Sequence, residues 1–208
     1  MTTETTENGM GATRSVPFEW FAGVCAIFAG IAGFLYAVAF VILHNDLLSG
    51  LFLTLGGLLT SAVFVAVYHR LRETDHSFAL LALLLGVTGA LGSAAHGGYD
   101  LANAINPPPV VLDLPNPVDP RGLLAFGVAG AALLIVAWLV VRGGEFPRGL
   151  GYLAYLSAVL LVVLYLGRLI VLDPASLVIL VPALLNGFLV NPALYVWLGL
   201  VLLRGRSS

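Results

Sequence analysis

The residues best suited to chemistry lie close together in one apolar stretch, between residues 96 and 103. His96, Asp100 and Asn103 follow one another at spacings of four and three residues, which places them on one face of a helix. A histidine beside a carboxylate can hold a proton or offer ligands to a metal ion. Because an ionisable group inside an apolar segment is expensive to bury, this face and the adjoining Tyr99 are the first candidate for a functional site.

Two further apolar stretches supply polar side chains that match this face. Arg168 lies near the end of its stretch, with Tyr165 one turn deeper on the same face. If the helices that carry Asp100 and Arg168 are neighbours, we expect an ion pair between them, because buried charges are normally tolerated in pairs. The predicted ligand-binding site or buried polar network has seven members: His96, Tyr99, Asp100, Asn103, Tyr165, Arg168 and Asn186.

A metal site is the alternative use of the histidines. His44-x-Asp46 and His96-x-x-x-Asp100 together offer two imidazoles and two carboxylates, a ligand set that zinc or iron accepts. However, the set lacks an H-x-x-x-H pair or a third histidine at that depth, and the different depths of His44 and His96 disfavour haem. We therefore predict no cofactor and keep a metal-dependent enzyme only as a second alternative.

The composition defines the elements that must position these residues. Of the 208 residues, 60% are hydrophobic and 10% are charged, whereas a soluble domain has about a quarter charged residues. This leaves too little polar surface for a water-soluble fold, and a net charge of −2 gives no electrostatic basis for nucleic-acid binding. All nine basic residues are arginine, which excludes covalent chemistry based on lysine.

Six stretches are long enough to cross a bilayer, which takes roughly 20 apolar residues in a helix. They predict an all-α fold, a polytopic membrane helical bundle with six transmembrane helices. The predicted spans cover residues 18–43, 47–68, 78–105, 122–141, 149–172 and 176–203. Residues 1–17 are rich in Thr and Glu and predict a disordered cytoplasmic tail, so the transmembrane domain covers residues 18–206.

The distribution of arginine predicts the orientation. With both termini in the cytoplasm, seven of the nine arginines fall on the cytoplasmic side, as the positive-inside rule requires. We therefore predict a multi-pass protein of the plasma or inner membrane, with N-in and C-in topology. The even-numbered spans end in an aromatic residue followed by arginine, which is typical of interfacial anchors: Tyr68 with Arg70, Trp138 with Arg142, and Trp197 with Arg204.

Small residues at helical spacing predict where helices pack closely. One row in the first span consists of Ala22, Ala26 and Gly30, and one in the third of Gly89, Ser93 and Gly97. We expect both rows to pack within one bundle, with a homodimer contact as the alternative.

The sixth span carries residues that interrupt a regular helix. Pro182, Asn186-Gly187 and Asn191-Pro192 fall near its middle and favour a kink. Broken helices often line binding cavities in transporters.

Three functional hypotheses stay open. The first is a non-enzymatic accessory, sensory or assembly component, in which the polar residues form a satisfied network that orients the helices. The second is a binding or transport protein for a small molecule or proton, with an outward-facing pocket between the third, fifth and sixth spans. The third is the metal-dependent membrane enzyme. The sequence favours the first and predicts the lipid bilayer as a partner, with a homo-oligomer or a membrane protein partner as further options and no nucleic acid.

Overall fold

The computed structural model of the chain describes residues 16–107, 122–171, 173 and 176–205. Six long helices make up most of this part of the chain: α1 Phe18–Ile42, α2 Asp46–Leu71, α3 His76–Ile105, α4 Leu123–Arg142, α5 Arg148–Ile170 and α6 Leu177–Leu203. Each is long and apolar enough to cross a membrane, and the described residues contain no strand, which confirms the all-α prediction of six spans. The helix ends differ from the predicted ones by three residues at most. Residues 1–15, most of the predicted tail, lie outside the described residues.

The outer surface of the bundle is apolar. Large hydrophobic side chains on several helices are more than half exposed, among them Phe28 at 56%, Leu84 at 59% and Leu189 at 62%. Such exposure is unfavourable in water over so large an area but suits contact with lipid chains.

Local signals fix the starts of α2 and α3. Oδ1 of Asn45 accepts a hydrogen bond from the Leu48 amide at 3.0 Å, and Oδ1 of Asp75 accepts one from the Phe78 amide at 3.1 Å. These caps satisfy amides that have no partner inside the helix. His44 has a φ of 48°, a left-handed conformation in the short connection between α1 and α2.

Three of the six helices contain a π-helical segment. α1 ends in one at Val38–Ile42, α4 begins with one at Leu123–Val128, and α6 contains one at Asn186–Val190. The flanking α-helical parts of α6 are Leu177–Leu185 and Asn191–Leu203. In α6 the π-helical segment begins at Asn186, one of the positions where the sequence favours a kink, whereas nothing in the sequence predicted the segments of α1 and α4. Single π-helical turns inside α-helices are frequent at functional sites.

The helices form a closed ring. Each packs antiparallel against the next helix in the chain, and α1 packs against α6 to complete the circle. The helix ends at Phe18 and Leu203 lie on one side of the bundle, which we call the terminal face. The opposite side, which carries Ile42, Asp46 and Ile105, is the distal face.

Small residues let these helices approach closely. In α1, the two alanines of the predicted row are fully buried, and a Cβ on Gly30 would lie 3.0 Å from the carbonyl oxygen of Pro192 in α6. In α3, a Cβ on Gly97 would lie 2.5 Å from the amide nitrogen of Thr54 in α2. Both rows therefore pack within one bundle, as predicted, and α6 covers the α1 row that a homodimer contact would need.

Arg70 departs from its predicted role as an interfacial anchor. Its side chain is 2% exposed, and its Nη2 lies 3.0 Å from Oε2 of Glu19 in α1. The guanidinium also lies over the Phe146 ring, 5.3 Å from the ring centroid. The anchor prediction is therefore wrong for Arg70, because a carboxylate 51 residues away in the sequence holds its side chain inside the bundle. Arg142 is exposed and lies over the Trp138 ring at 5.0 Å, in the arrangement expected of an anchor.

Candidate functional site

A cavity of about 290 Å³ lies inside the ring, and all six helices contribute to its wall. The wall extends from Ala29 to Val41 along α1 and from Ile179 to Tyr195 along α6. These residues belong to the middle and the distal half of the bundle. At 1.5 Å per residue the α1 wall alone is about 18 Å long. The volume is close to the lower end of the range for small-molecule pockets, about 300–1,000 Å³. The cavity is thus elongated along the helices and large enough for a small molecule.

Polar side chains occur at three levels of this otherwise apolar wall. Arg168 lines the cavity at its distal level. Asn186 and Asn191 of α6 line its middle. At the deepest level Tyr195 lines it, with Thr60 of α2 nearby in the same wall. An apolar pocket with a few convergent polar groups is the usual composition of a ligand site.

Each π-helical segment contributes to the cavity wall. The contributing residues are Phe40 and Val41 in α1, Ala125 and Phe126 in α4, and Asn186 and Gly187 in α6. In α6 a buried hydrogen bond holds this segment against α5, since Oγ of Ser157 donates to Oδ1 of Asn186 at 2.9 Å. The three irregular segments thus converge on one space rather than being scattered over the bundle.

Asp100 lies in α3, and the structure does not give it the partner predicted from the sequence. α4 lies between α3 and α5, so the helices that carry Asp100 and Arg168 are not neighbours. Within the described residues, Oδ2 of Asp100 instead lies 3.4 Å from Nε2 of His96, one turn away in the same helix. Both charges of the expected pair are close enough to the Tyr36 hydroxyl to interact with it electrostatically. Tyr36 therefore lies in the vicinity of both charges, at the distal level of the cavity.

The predicted set of seven residues is only partly brought together. Arg168 and Asn186 line the cavity. Tyr99 is 56% exposed on the outer surface, and the Tyr165 ring packs against a glycine of α4. Asn103 is partly buried near the distal end of α3.

The predicted metal ligands lie in two separate places. His44 and Asp46 are exposed at the distal face, whereas His96 and Asp100 lie within α3. Over the described ranges of the chain, no group of three or more His, Cys, Asp or Glu side chains is placed to bind a metal ion. The four predicted ligands therefore do not form one coordination site.

Comparisons of the chain with protein-family models, curated proteins and solved structures found no significant match. Function is therefore inferred from the cavity and its side chains.

Sequence reasoning placed several cavity residues outside the candidate site. Tyr36, Thr60, Ser93 and Tyr195 all line the cavity and were not among the predicted site residues. A hydroxyl group in the middle of an apolar span is the signal they share. That signal is ambiguous, because Oγ of Ser93 also donates to a carbonyl of its own helix, that of Gly89, at 3.1 Å.

Proposed function

We propose that the protein binds a small, predominantly apolar molecule in the cavity lined by its six helices, and that it is a binding or transport protein. The observation that supports this most is the cavity itself, about 290 Å³ inside a bundle whose other helix contacts are close. The side chains that line an empty space of this size lack dispersion contacts on one side, and a bound molecule would supply them.

The composition of the wall supports the same proposal. Aromatic and aliphatic side chains, among them Phe52, Phe64 and Leu133, make up most of the lining. The polar groups are few and lie at separate depths, so they can orient an elongated molecule rather than surround a strongly polar one. Proton-linked transport is the variant of this proposal in which His96 and Asp100 hold a proton beside the cavity.

An accessory or assembly role is the second candidate. The observation in its favour is the hydrogen bond from Ser157 to Asn186, at 2.9 Å, because it satisfies two buried side chains and ties α5 to α6. In this reading the polar residues orient the helices, and a membrane protein partner supplies the activity.

We further propose that the terminal face is cytoplasmic and that the protein lies in the plasma or inner membrane. Five of the six described arginines are at the terminal face, namely Arg70, Arg72, Arg142, Arg148 and Arg204. This bias follows the positive-inside rule. The cavity then opens in the outer half of the bilayer and extends past its middle to Tyr195.

The binding proposal can be tested with a neutral photoactivatable probe. A medium-chain alcohol that carries a diazirine and an alkyne is added to the protein in lipid nanodiscs, and labelled residues are mapped by mass spectrometry. We expect labelling of the cavity wall that saturates and that excess unlabelled alcohol removes.

Two alanines of α6 provide matched variants for this test. Ala183 lines the cavity, whereas Ala193 is exposed on the outer surface. Ala183→Phe fills part of the cavity and should abolish its saturable labelling, whereas Ala193→Phe should leave it intact. Labelling confined to lipid-facing residues in the unmodified protein would refute the binding proposal and favour the accessory role.

A further inference from the structure

We infer that the ligand is a single-chain amphiphile with a carboxylate head, that it enters the cavity from the bilayer between α1 and α6, and that Arg168 holds its head. This inference rests on the proposed function, because it specifies the occupant of the same cavity. It follows from the shape of the ring, the position of Arg168 and the narrow apolar space below it.

The ring is tight between α1 and α6 in its terminal half. A Cβ on Gly199 of α6 would lie 2.6 Å from the carbonyl oxygen of Gly23 in α1. Nearer the cavity, the Phe34 and Phe188 rings meet edge to face, with centroids 5.9 Å apart. Close approach continues up to Gly187, where an added Cβ would lie 3.1 Å from Cβ of Ala37.

Beyond this level the two helices separate. The segment Val38–Ile42 of α1 packs on α2, and the segment Leu177–Leu185 of α6 packs on α5, without extensive contact between the two segments. Both nevertheless line the cavity, and residues on both edges reach the outer surface: Phe40 is 52% exposed and Leu180 is 37% exposed. A side chain that lines a cavity and is also exposed marks an opening. Its position between apolar helices directs this opening towards lipid.

Arg168 lies where the head of a molecule in this opening would be. It is exposed, belongs to the last turn of α5, and is the one charged side chain among the described residues that line the cavity. The ion pairs formed by the described part of the chain join other residues, and none of them includes Arg168. A guanidinium offers two parallel donors to a carboxylate, a geometry that favours this head group.

Tyr36 supplies a second polar group near the head. It lines the cavity on α1 and lies near enough to Arg168 for an electrostatic interaction. A phenol hydroxyl can donate a hydrogen bond to a carboxylate, so Tyr36 can contact the same head as Arg168.

The remainder of the cavity suits one extended chain. Below Arg168 the wall is formed by apolar residues such as Phe52, Leu161 and Phe64, down to Tyr195. A volume of about 290 Å³ along a wall about 18 Å long is a narrow space. It accommodates one chain and leaves little room for the second chain of a membrane phospholipid.

The inference is tested by comparing two probes that differ only in the head group. A medium-chain carboxylic acid and the matching alcohol, both with a diazirine and an alkyne, are titrated onto the protein in nanodiscs made of a neutral phospholipid. In the unmodified protein we expect the acid to saturate at a concentration about tenfold or more below that of the alcohol, the gain from a hydrogen bond to a charged group. Labelled positions should include the edges of the opening on α1 and α6.

Substitution of the arginine should remove this preference. Arg168→Gln is expected to weaken binding of the acid about tenfold while leaving the alcohol within about twofold, and Arg168→Lys should recover part of the loss. Alcohol binding in the same variants reports that the fold is intact. Arg142→Gln is the matched control at the terminal face, and we expect no change for either probe.

A wrong ligand assignment and a wrong proposed function would give different results in these experiments. Equal affinities for the two probes, or an Arg168→Gln variant that loses both to the same extent, would overturn the assignment of a carboxylate head. Competition by a two-chain anionic phospholipid as strong as that by the unlabelled acid would overturn the single chain. If neither probe labels the cavity saturably, the proposed function itself fails.

Discussion

Two adjacent glycines of α2, Gly56 and Gly57, provide a sharp test of the helix packing. A Cβ on Gly57 would lie 2.5 Å from the carbonyl oxygen of Ala90 and 2.6 Å from the amide nitrogen of Ala94, both backbone atoms of α3. For Gly56 the nearest atom would be Cβ of Ala32 at 3.7 Å, an ordinary van der Waals distance. The same methyl group therefore forces α2 and α3 apart at one position and fits at the next.

The expected magnitudes follow from two opposing terms. Replacing a glycine by alanine inside a helix stabilises it by about 1 kcal/mol at either position. At Gly57 an overpacking cost of about 1–3 kcal/mol opposes this gain, because the contacted atoms belong to backbone. We therefore expect Gly57→Ala to be less stable than Gly56→Ala by about 1–3 kcal/mol, a difference from which the helix propensity cancels.

The free energy of unfolding of each variant can be measured by reversible denaturation in mixed micelles of dodecylmaltoside and sodium dodecyl sulfate. Gly97 and Gly98 of α3 repeat the comparison, since an added Cβ would lie 2.5 Å from the Thr54 amide nitrogen at Gly97 but 4.0 Å from Oγ1 of Thr54 at Gly98. Equal stabilities within both pairs, or greater stability for the variant at the tight position, would show that α2 and α3 do not cross as described.

Two further predictions concern buried polar pairs and use the same unfolding assay. Glu19→Gln should lower the free energy of unfolding by about 3 kcal/mol, because it leaves the buried guanidinium of Arg70 without its counter-charge. Combining it with Arg70→Met should cost less than the sum of the single changes, and additive losses would contradict the pair. Ser157→Ala should cost about 1–2 kcal/mol by leaving Oδ1 of Asn186 buried without its donor, whereas Ser61→Ala, whose hydroxyl bonds a carbonyl of its own helix, should be near neutral. Similar losses at the two serines would argue against the link between α5 and α6.

The spans could be predicted closely because each depends on local properties. Hydrophobic length sets a transmembrane helix, and Asn45 and Asp75 mark the starts of α2 and α3 by capping. No local property fixes which helices become neighbours. The expected ion pair between Asp100 and Arg168 required α3 and α5 to touch, and the ring places α4 between them.

Arg70 shows the same limit for a single residue. Together with Tyr68 it has the pattern of an interfacial anchor, and Trp138 with Arg142 has it too. Only one of these arginines is buried, because only Arg70 meets a carboxylate from another helix. Such a difference depends on tertiary contacts and cannot be read from the sequence around each residue.

The cavity was the least predictable feature. In α6, Asn186 indicated a departure from regular α-helix. The π-helical segments Val38–Ile42 and Leu123–Val128 contain neither proline nor a polar residue that would indicate one. Their departure from the α-helix depends on how the surrounding helices pack. The sequence indicated a polar site between three spans, and the structure has instead a mostly apolar cavity lined by all six.

The closure of the ring through α1 and α6 has a consequence for biosynthesis. A ribosome delivers α1 to the membrane first and α6 last. α1 is therefore in the membrane without α6, one of its two neighbours, until synthesis is almost complete. Until then the carbonyl of Gly23, against which Gly199 packs, faces lipid or a chaperone, and one wall of the cavity is missing. Contacts between the two ends of a chain also slow folding, because a long loop must close before they form. A nascent protein with five inserted helices therefore has no enclosed site, and binding competence arrives with the final helix.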